Sequence, residues 1–234
     1  MVHRYDALED QHFVGLICSS LAYGRVGQIL ASCERVLAPF GRQPYRRFLE
    51  AKDGWFEEQF GSFKHRFTTG SELVTFFVAL RRFVAGRTLA QALAAFGTDD
   101  PWTCHSAFVE SLGLGKNSLM PQPSLGSSCK RSMLWWRWCV RRDALDLGGF
   151  DFASPSKLIV PLDTHMARFG RLVGLTKRKA NDAKTAREIT EGFARLCPDD
   201  PVRYDFAITR FGIHPHLCEN ELSLRLSAGL GGIK

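Results

Sequence analysis

The spacing of apolar residues is the feature that most restricts the fold of this chain. Along most of its 234 residues they recur every three or four positions, and no run alternates convincingly between apolar and polar side chains. A period of three to four is that of an amphipathic helix, whereas a half-buried strand shows a period of two. The sequence therefore predicts an all-α fold.

Apolar stripes and helix-breaking residues predict where these helices lie. Stripes at 13–21 and 29–37 predict two helices separated by Gly24. Glycine and proline residues lie between the remaining segments, as expected where helices end. The further predicted helices are 71–85, 88–96, 102–113, 129–142, 163–173, 183–196 and 201–211. No internal repeat or long biased linker divides the chain, which predicts one compact unit.

Composition and charge restrict the class of protein. No stretch approaches the roughly 20 consecutive apolar residues of a membrane span, and the first ten residues lack the apolar core of a signal peptide. Seven cysteines without paired spacing favour free thiols in a reducing compartment, so we expect a cytoplasmic protein. A net charge of +7 favours an anionic partner such as nucleic acid.

The segment 129–142 combines basic and aromatic residues. At 3.6 residues per turn, Lys130, Arg137 and Arg141 share one face, with Arg131 beside it. One interpretation is a solvated basic face over a buried stripe. The other is a cationic face for a phosphate backbone, with Lys130 placed to attack a sugar carbon. The side chains expected to face the core are Met133, Trp136, Cys139 and Val140.

A second segment places a carboxylate at the start of a helix. Pro161 favours an extended entry, Asp163 lies at the N-cap position, and Gly174 lies where the helix should end. Asp163 can be a simple cap. It can also stabilise a developing positive charge, as cleavage of a glycosidic bond requires. Position alone leaves both interpretations open.

The residues from Pro161 to Phe169, Pro-Leu-Asp-Thr-His-Met-Ala-Arg-Phe, resemble the strongest motif of the helix-hairpin-helix DNA glycosylase superfamily. Its endonuclease III branch reads Val-Asp-Thr-His-hydrophobic-x-Arg-Val here. The segment 16–23 is similar to the element that approaches the damaged strand in that superfamily. Taken whole, residues 6–214 are similar to a bacterial family known only as a domain of unknown function. This last resemblance rests on residues 19–25, 63–67, 129–131, 159–165, 174–179 and 204–207.

The resemblance implies a two-lobed, helix-hairpin-helix glycosylase-like fold with a central cleft. Lobe A would span approximately 24–128, and lobe B approximately 1–23 plus 129–234. The catalytic aspartate of the superfamily falls on Asp163. The hairpin stretch, Pro123 to Lys130, has one glycine where the superfamily has two. Lys130 lies 33 residues before Asp163, a wider interval than in endonuclease III and similar to the archaeal 8-oxoguanine glycosylase branch, whose hairpin lysine attacks the sugar.

The implied function is a DNA N-glycosylase that extrudes a modified base from double-stranded DNA and cleaves its N-glycosidic bond, leaving an abasic site. Lys130 would either form a Schiff base, with lyase activity, or anchor a phosphate. We favour bulky hypermodified cytosine of phage DNA, such as glucosylated hydroxymethylcytosine, because small side chains in 19–24 leave room for an adduct. Repair of 8-oxoguanine is the alternative. A monomer without membrane partner or nucleotide cofactor is expected.

Further residues are assigned by type and position. The expected DNA-binding residues are Ser128, Arg131, Arg137, Arg141, Arg168, Lys177, Arg178 and Lys179. The expected base-pocket or wedge residues are Ser19, Ser20, Leu21, Tyr23, Arg25, Trp138 and His165, with Leu21 and Tyr23 as the wedge candidates. Basic runs are commonly solvated surface, and the aromatic residues of 63–67 suit either core packing or base stacking.

No metal or other cofactor is expected. His214, His216 and Cys218 lack zinc spacings and a fourth partner. The four clustered C-terminal cysteines of the iron–sulfur glycosylases are missing, so a cluster is not expected. A competing hypothesis is a DNA-binding module without catalysis, which would tolerate loss of the Asp163 carboxylate.

Overall fold

The structure is a computed structural model that describes residues 1–213, and this part of the chain is largely helical. The helices are α1 (Leu8–Ser20), α2 (Val26–Leu37), α3 (Pro44–Glu50), α4 (Asp53–Phe60), α5 (Gly70–Val84), α6 (Leu89–Ala94), α7 (Pro101–Leu112), α8 (Lys130–Val140), α9 (Thr164–Leu172), α10 (Ala183–Ala194) and α11 (Asp205–Ile213). Two-residue strands β1 (Lys64–His65) and β2 (Thr68–Thr69) form an antiparallel hairpin. Short 3-10 helices span Val2–Arg4, Ala38–Phe40, Pro123–Leu125 and Pro155–Lys157. The predicted all-α class is confirmed.

Several helices begin at side chains that cap the backbone. Thr69 and Glu72 form a reciprocal capping box at α5, and Thr88 and Gln91 form another at α6. Aspartates cap α7, α9 and α10. Such caps satisfy amide groups that have no partner within the helix, and each typically contributes about 1 kcal/mol.

The first helix, α1, lies at the centre of the packing. It contacts α2, α3, α6 and α8, and nine of its thirteen residues are buried. A continuous hydrophobic core surrounds it, with aromatic rings from α1, α3, α5 and α8. The Trp135 indole donates a hydrogen bond to the His12 carbonyl oxygen (3.0 Å), which joins α8 to α1. The core positions predicted for Met133, Trp136, Cys139 and Val140 are confirmed.

The structure departs from the sequence-based expectations in a few places. Helices α3 and α4 and the β1–β2 hairpin were not expected, because charged residues interrupt the apolar spacing of these short elements. The helix expected at 201–211 begins later, at Asp205. The division into two lobes stays a prediction. None of the helices in residues 1–213 has the length and hydrophobicity to cross a membrane.

The junction of α4 with α5 offers a stability test. A β-carbon on Gly70 would overlap the carbonyl oxygens of Phe60 and Gly61, which are backbone atoms without rotamer freedom. We expect Gly70→Ala to lower the free energy of unfolding by roughly 1–3 kcal/mol or more. Gly54→Ala is the control, because no atom of the described residues lies within 4 Å of a β-carbon there. Urea unfolding that finds both variants as stable as the wild type would contradict this packing.

Candidate functional site

A cleft of about 410 Å³ lies between α8, the start of α9 and α11. Its volume falls within the range of roughly 300–1,000 Å³ typical of small-ligand pockets. The lining residues are Val2, Lys130, Leu134, Arg137, Trp138, Leu145, Asp146, Pro161, Asp163, Asp205, Phe206 and Thr209. The structure thus brings Lys130, Asp163 and Trp138 to one cavity.

Asp163 is held by the backbone of α9. Its Oδ1 accepts a hydrogen bond from the Met166 amide (2.7 Å), the expected N-cap interaction. Pro161 precedes it in a buried, extended segment, where the Val160 amide donates to Thr190 Oγ1 (3.1 Å) on α10. The carboxylate is therefore fixed at the helix N-terminus while it lines the cleft.

Lys130 opens α8 directly after a constrained turn. Cys129 is buried in the left-handed conformation, with φ of 48°, and its amide donates to Ser127 Oγ (3.1 Å). The Ala183 amide donates to the Gly126 carbonyl (3.1 Å), which ties the turn to α10. Ser128, an expected phosphate ligand, lies half-buried in this turn. The turn sets the direction in which Lys130 leaves the backbone.

Arg137 is not on an exposed basic face, which corrects the expectation for this residue. Its side chain is 4% exposed and pairs with Asp205 (2.7 Å) and Asp146 (3.3 Å). Arg141 is likewise mostly buried and pairs with Asp143 (2.9 Å) and Asp146. As the helical period predicted, Arg137 shares a face of α8 with Lys130, and both line the cleft, whereas Arg141 follows the end of the helix. That face is covered by aspartates, so neither guanidinium is presented to solvent for a phosphate.

Asp205 and Asp146 belong to the cleft and were missed as functional residues. Both carboxylates are buried, and each has an Oδ1 without a hydrogen-bond partner among the described residues. Burial raises the pKa of Asp205 to about 6, against the opposing effect of Arg137 and with a smaller contribution from Asp163. Burial also raises the pKa of Asp146. The sequence signal for Asp205 was its place in the segment 204–207, which carries part of the family resemblance.

Arg131 performs a packing role in the structure. Its guanidinium donates to the backbone carbonyls of Ser20 and Ser118, the latter at 2.6 Å, and lies 4.8 Å from the Tyr23 ring centroid. The side chain joins the end of α1 to the loop that precedes α8. This corrects the expectation of an exposed phosphate ligand, because the guanidinium is occupied by carbonyl oxygens.

The end of α1 does not line the cleft among the described residues. Ser19 and Ser20 are buried, with Ser19 Oγ donating to the Leu16 carbonyl (3.0 Å). Leu21 is 0% exposed, so it is not available as a wedge. Ala22 is half-buried and Gly24 is exposed, so the expectation that small side chains here make room for an adduct stays a prediction.

Tyr23 and Arg25 follow this helix end. Tyr23 is half-buried, and its hydroxyl donates to the His65 carbonyl (2.8 Å), so its tip is held within the protein. Arg25 is exposed at the N-cap position of α2. Neither residue lines the cleft.

The remaining cations lie on or near α9. Lys177 and Lys179 are exposed, whereas Arg178 pairs with Asp182 (2.6 Å) at the start of α10. On α9, His165 is half-buried and Arg168 is exposed, and each interacts with a partner. His214, His216 and Cys218 lie outside the described residues.

The buried Asp205 predicts a pH dependence of stability. Its pKa is higher in the folded protein than in the unfolded chain, so its contribution is fully present below pH 4 and is lost as the pH rises through about 6. Relative to Asp205→Asn, the wild type should lose up to about 3 kcal/mol between pH 4 and pH 7. Urea unfolding of both proteins at the two pH values measures this. A difference that does not change with pH would contradict it.

Comparison with known proteins places the chain in a family. No curated protein and no solved structure matches it. The model of the family described as "Protein of unknown function (DUF2400)" matches residues 1–214, which is most of the chain. The chain therefore belongs to the DUF2400 family.

Proposed function

We propose that this protein is a DNA N-glycosylase whose active site is the cleft between α8, α9 and α11. The observation that carries the proposal is that Asp163 and Lys130, chosen from the sequence as carboxylate and amine, line one cavity. Cleavage of an N-glycosidic bond passes through an oxocarbenium-like state, which a fixed carboxylate stabilises. Asp163 is such a carboxylate, because its helix cap restrains it.

The reaction has two forms that differ in the nucleophile. In the first, water adds to the anomeric carbon and gives a proton to Asp163, while the base leaves with the bonding electron pair and takes up a proton from solvent. In the second, Lys130 gives a proton to Asp163 and its amine attacks the same carbon, while the base again leaves with the bonding electron pair and takes up a proton from solvent. Loss of a proton from the nitrogen and opening of the sugar ring then give a Schiff base. The lysine route accounts for lyase activity. In the water route, Lys130 instead binds a DNA phosphate.

The extruded base would enter the cleft beside Trp138, Asp146 and Asp205. Asp146 and Asp205 give this end of the cleft a polar lining, which suits a base that carries amino or hydroxyl groups. Both glucosylated hydroxymethylcytosine and 8-oxoguanine carry such groups. We keep the hypermodified cytosine of phage DNA as the preferred substrate, with defence against phage as the role.

The duplex would lie across the mouth of the cleft. The start of α8 offers backbone amides and the positive end of the helix dipole to a phosphate. Lys177 and Lys179 are exposed near α9 and supply further positive charge. These contacts would position the DNA without reading its sequence.

Base release from defined DNAs tests the proposal. Duplexes with ordinary cytosine, 8-oxoguanine or glucosylated hydroxymethylcytosine would be incubated with the protein, and released base measured by mass spectrometry. We expect release of the hypermodified cytosine. Efficient release of 8-oxoguanine alone would exclude the preferred base, and no release from any DNA would contradict the glycosylase.

Asp163→Asn separates catalysis from folding and DNA binding. Asparagine caps a helix about as well as aspartate, so the fold should be kept. We expect the rate of base release to fall roughly 100-fold to 10,000-fold with unchanged duplex affinity. Asp100→Asn is the control, because Asp100 caps α7 outside the cleft. Equal loss in both variants would contradict a catalytic role for Asp163.

Borohydride trapping decides the role of Lys130. A Schiff base is reduced to a stable protein–DNA adduct, and we expect this adduct in the wild type and not in Lys130→Gln. Lys116→Gln, at an exposed loop position outside the cleft, is the control. Base release without any adduct would assign the water route.

A further inference from the structure

An exposed aromatic residue stands at the tip of the β1–β2 hairpin. His65 pairs with Thr68, so Arg66 and Phe67 form the two-residue turn. Phe67 is 73% exposed, although apolar side chains of this size are usually buried. Arg66 has a positive φ of 52° and lies with its guanidinium 5.6 Å from the Phe67 ring centroid.

Hydrogen bonds hold the hairpin residues on either side of the turn that carries Phe67. The Thr68 amide donates to the Tyr23 hydroxyl oxygen (3.1 Å), and that hydroxyl donates to the His65 carbonyl (2.8 Å). His65 Nδ1 lies 2.8 Å from Ser32 Oγ, and Thr68 Oγ1 lies 2.7 Å from Ser118 Oγ. His65 and Thr68 are both buried. The hairpin beneath the exposed ring is therefore anchored to the rest of the protein.

A stack of side chains connects this ring to the start of α8. The Phe67 ring is nearly parallel to the Tyr23 ring, at an angle of 5° and a centroid distance of 6.4 Å. Arg131 lies on Tyr23, 4.8 Å from its centroid. Arg131 follows Lys130 in α8, and Lys130 lines the cleft. Tyr23 and Arg131 thus connect the exposed ring to the first turn of α8, the helix whose first residue lines the cleft.

The surroundings of the hairpin tip suit DNA. Lys64 and Arg66 are exposed on the hairpin itself, and Arg25 and Arg35 are exposed on the adjoining α2 region. Positive charge around an apolar ring matches a duplex, whose phosphates flank a stack of apolar bases. Proteins that kink or open a duplex insert apolar side chains such as Phe between base steps.

We propose that Phe67 enters the base stack of the duplex and fills the space vacated by the extruded nucleotide, with Arg66 beside it at the backbone. The proposal rests on the glycosylase function and names the wedge that this function requires. Phe67 takes the place of the two earlier wedge candidates, Leu21, which is buried, and Tyr23, whose hydroxyl is hydrogen-bonded within the protein. In this arrangement Tyr23 supports the wedge.

The test compares Phe67→Ala on two forms of one substrate. In duplex DNA the wedge stabilises the extruded state, so we expect base release to slow roughly 10-fold to 100-fold. In single-stranded DNA there is no vacated space to fill, so the rate should stay within about twofold of the wild type. Phe67→Leu, which keeps an apolar wedge, should recover most of the duplex rate.

Leu196→Ala is the matched control, because Leu196 is also 72% exposed but follows α10 outside the cleft. It should leave both rates unchanged. If Phe67→Ala and the wild type release the base from the duplex at equal rates, the wedge role of Phe67 is wrong. The exposed ring would then be assigned to contact with a protein partner. An equal loss on both DNA forms would also overturn the wedge role. If the wild type releases no base from any DNA, the glycosylase itself fails, which is a different result.

Discussion

The burial of Arg137 between Asp146 and Asp205 is the interaction on which the cleft depends. Arg137 lies in α8, Asp205 begins α11, and Asp146 lies in the segment that follows α8. A buried charge requires partners, and removing one member of such a group typically costs about 3–5 kcal/mol. The network therefore holds α11 against α8. The same three side chains line the cavity, so the contact that joins the helices also supplies part of the polar wall of the cleft.

The two proposed catalytic groups are positioned by backbone geometry at helix starts. Asp163 caps α9, and Lys130 follows Cys129, whose left-handed conformation typically costs a residue other than glycine about 1–3 kcal/mol. Hydrogen bonds from Cys129 to Ser127 and from α10 to Gly126 stabilise that turn. A glycosylase needs such restraint, because its groups must meet an anomeric carbon that arrives with the extruded nucleotide.

The sequence was informative where a local pattern determines the structure. Apolar spacing and capping residues predicted most helices, and the motif around Asp163 selected a residue that lies in the same cleft as Lys130. Periodicity placed Arg137 on the correct face but contains no information on the aspartates that cover it. The burial of Leu21 and the exposure of Phe67 likewise depend on long-range packing between α1, the hairpin and α8. These tertiary contacts explain why Leu21 is not available as a wedge and why the expected basic face is covered.

A crystal structure of the Asp163→Asn variant bound to a duplex with glucosylated hydroxymethylcytosine would show whether this cleft is the active site. We expect an extruded nucleotide in the cleft, with its anomeric carbon between residue 163 and Lys130 and its base near Asp146 and Asp205. A duplex bound on another face, or one with every nucleotide stacked and the cleft empty, would contradict the assignment of this cleft as the active site.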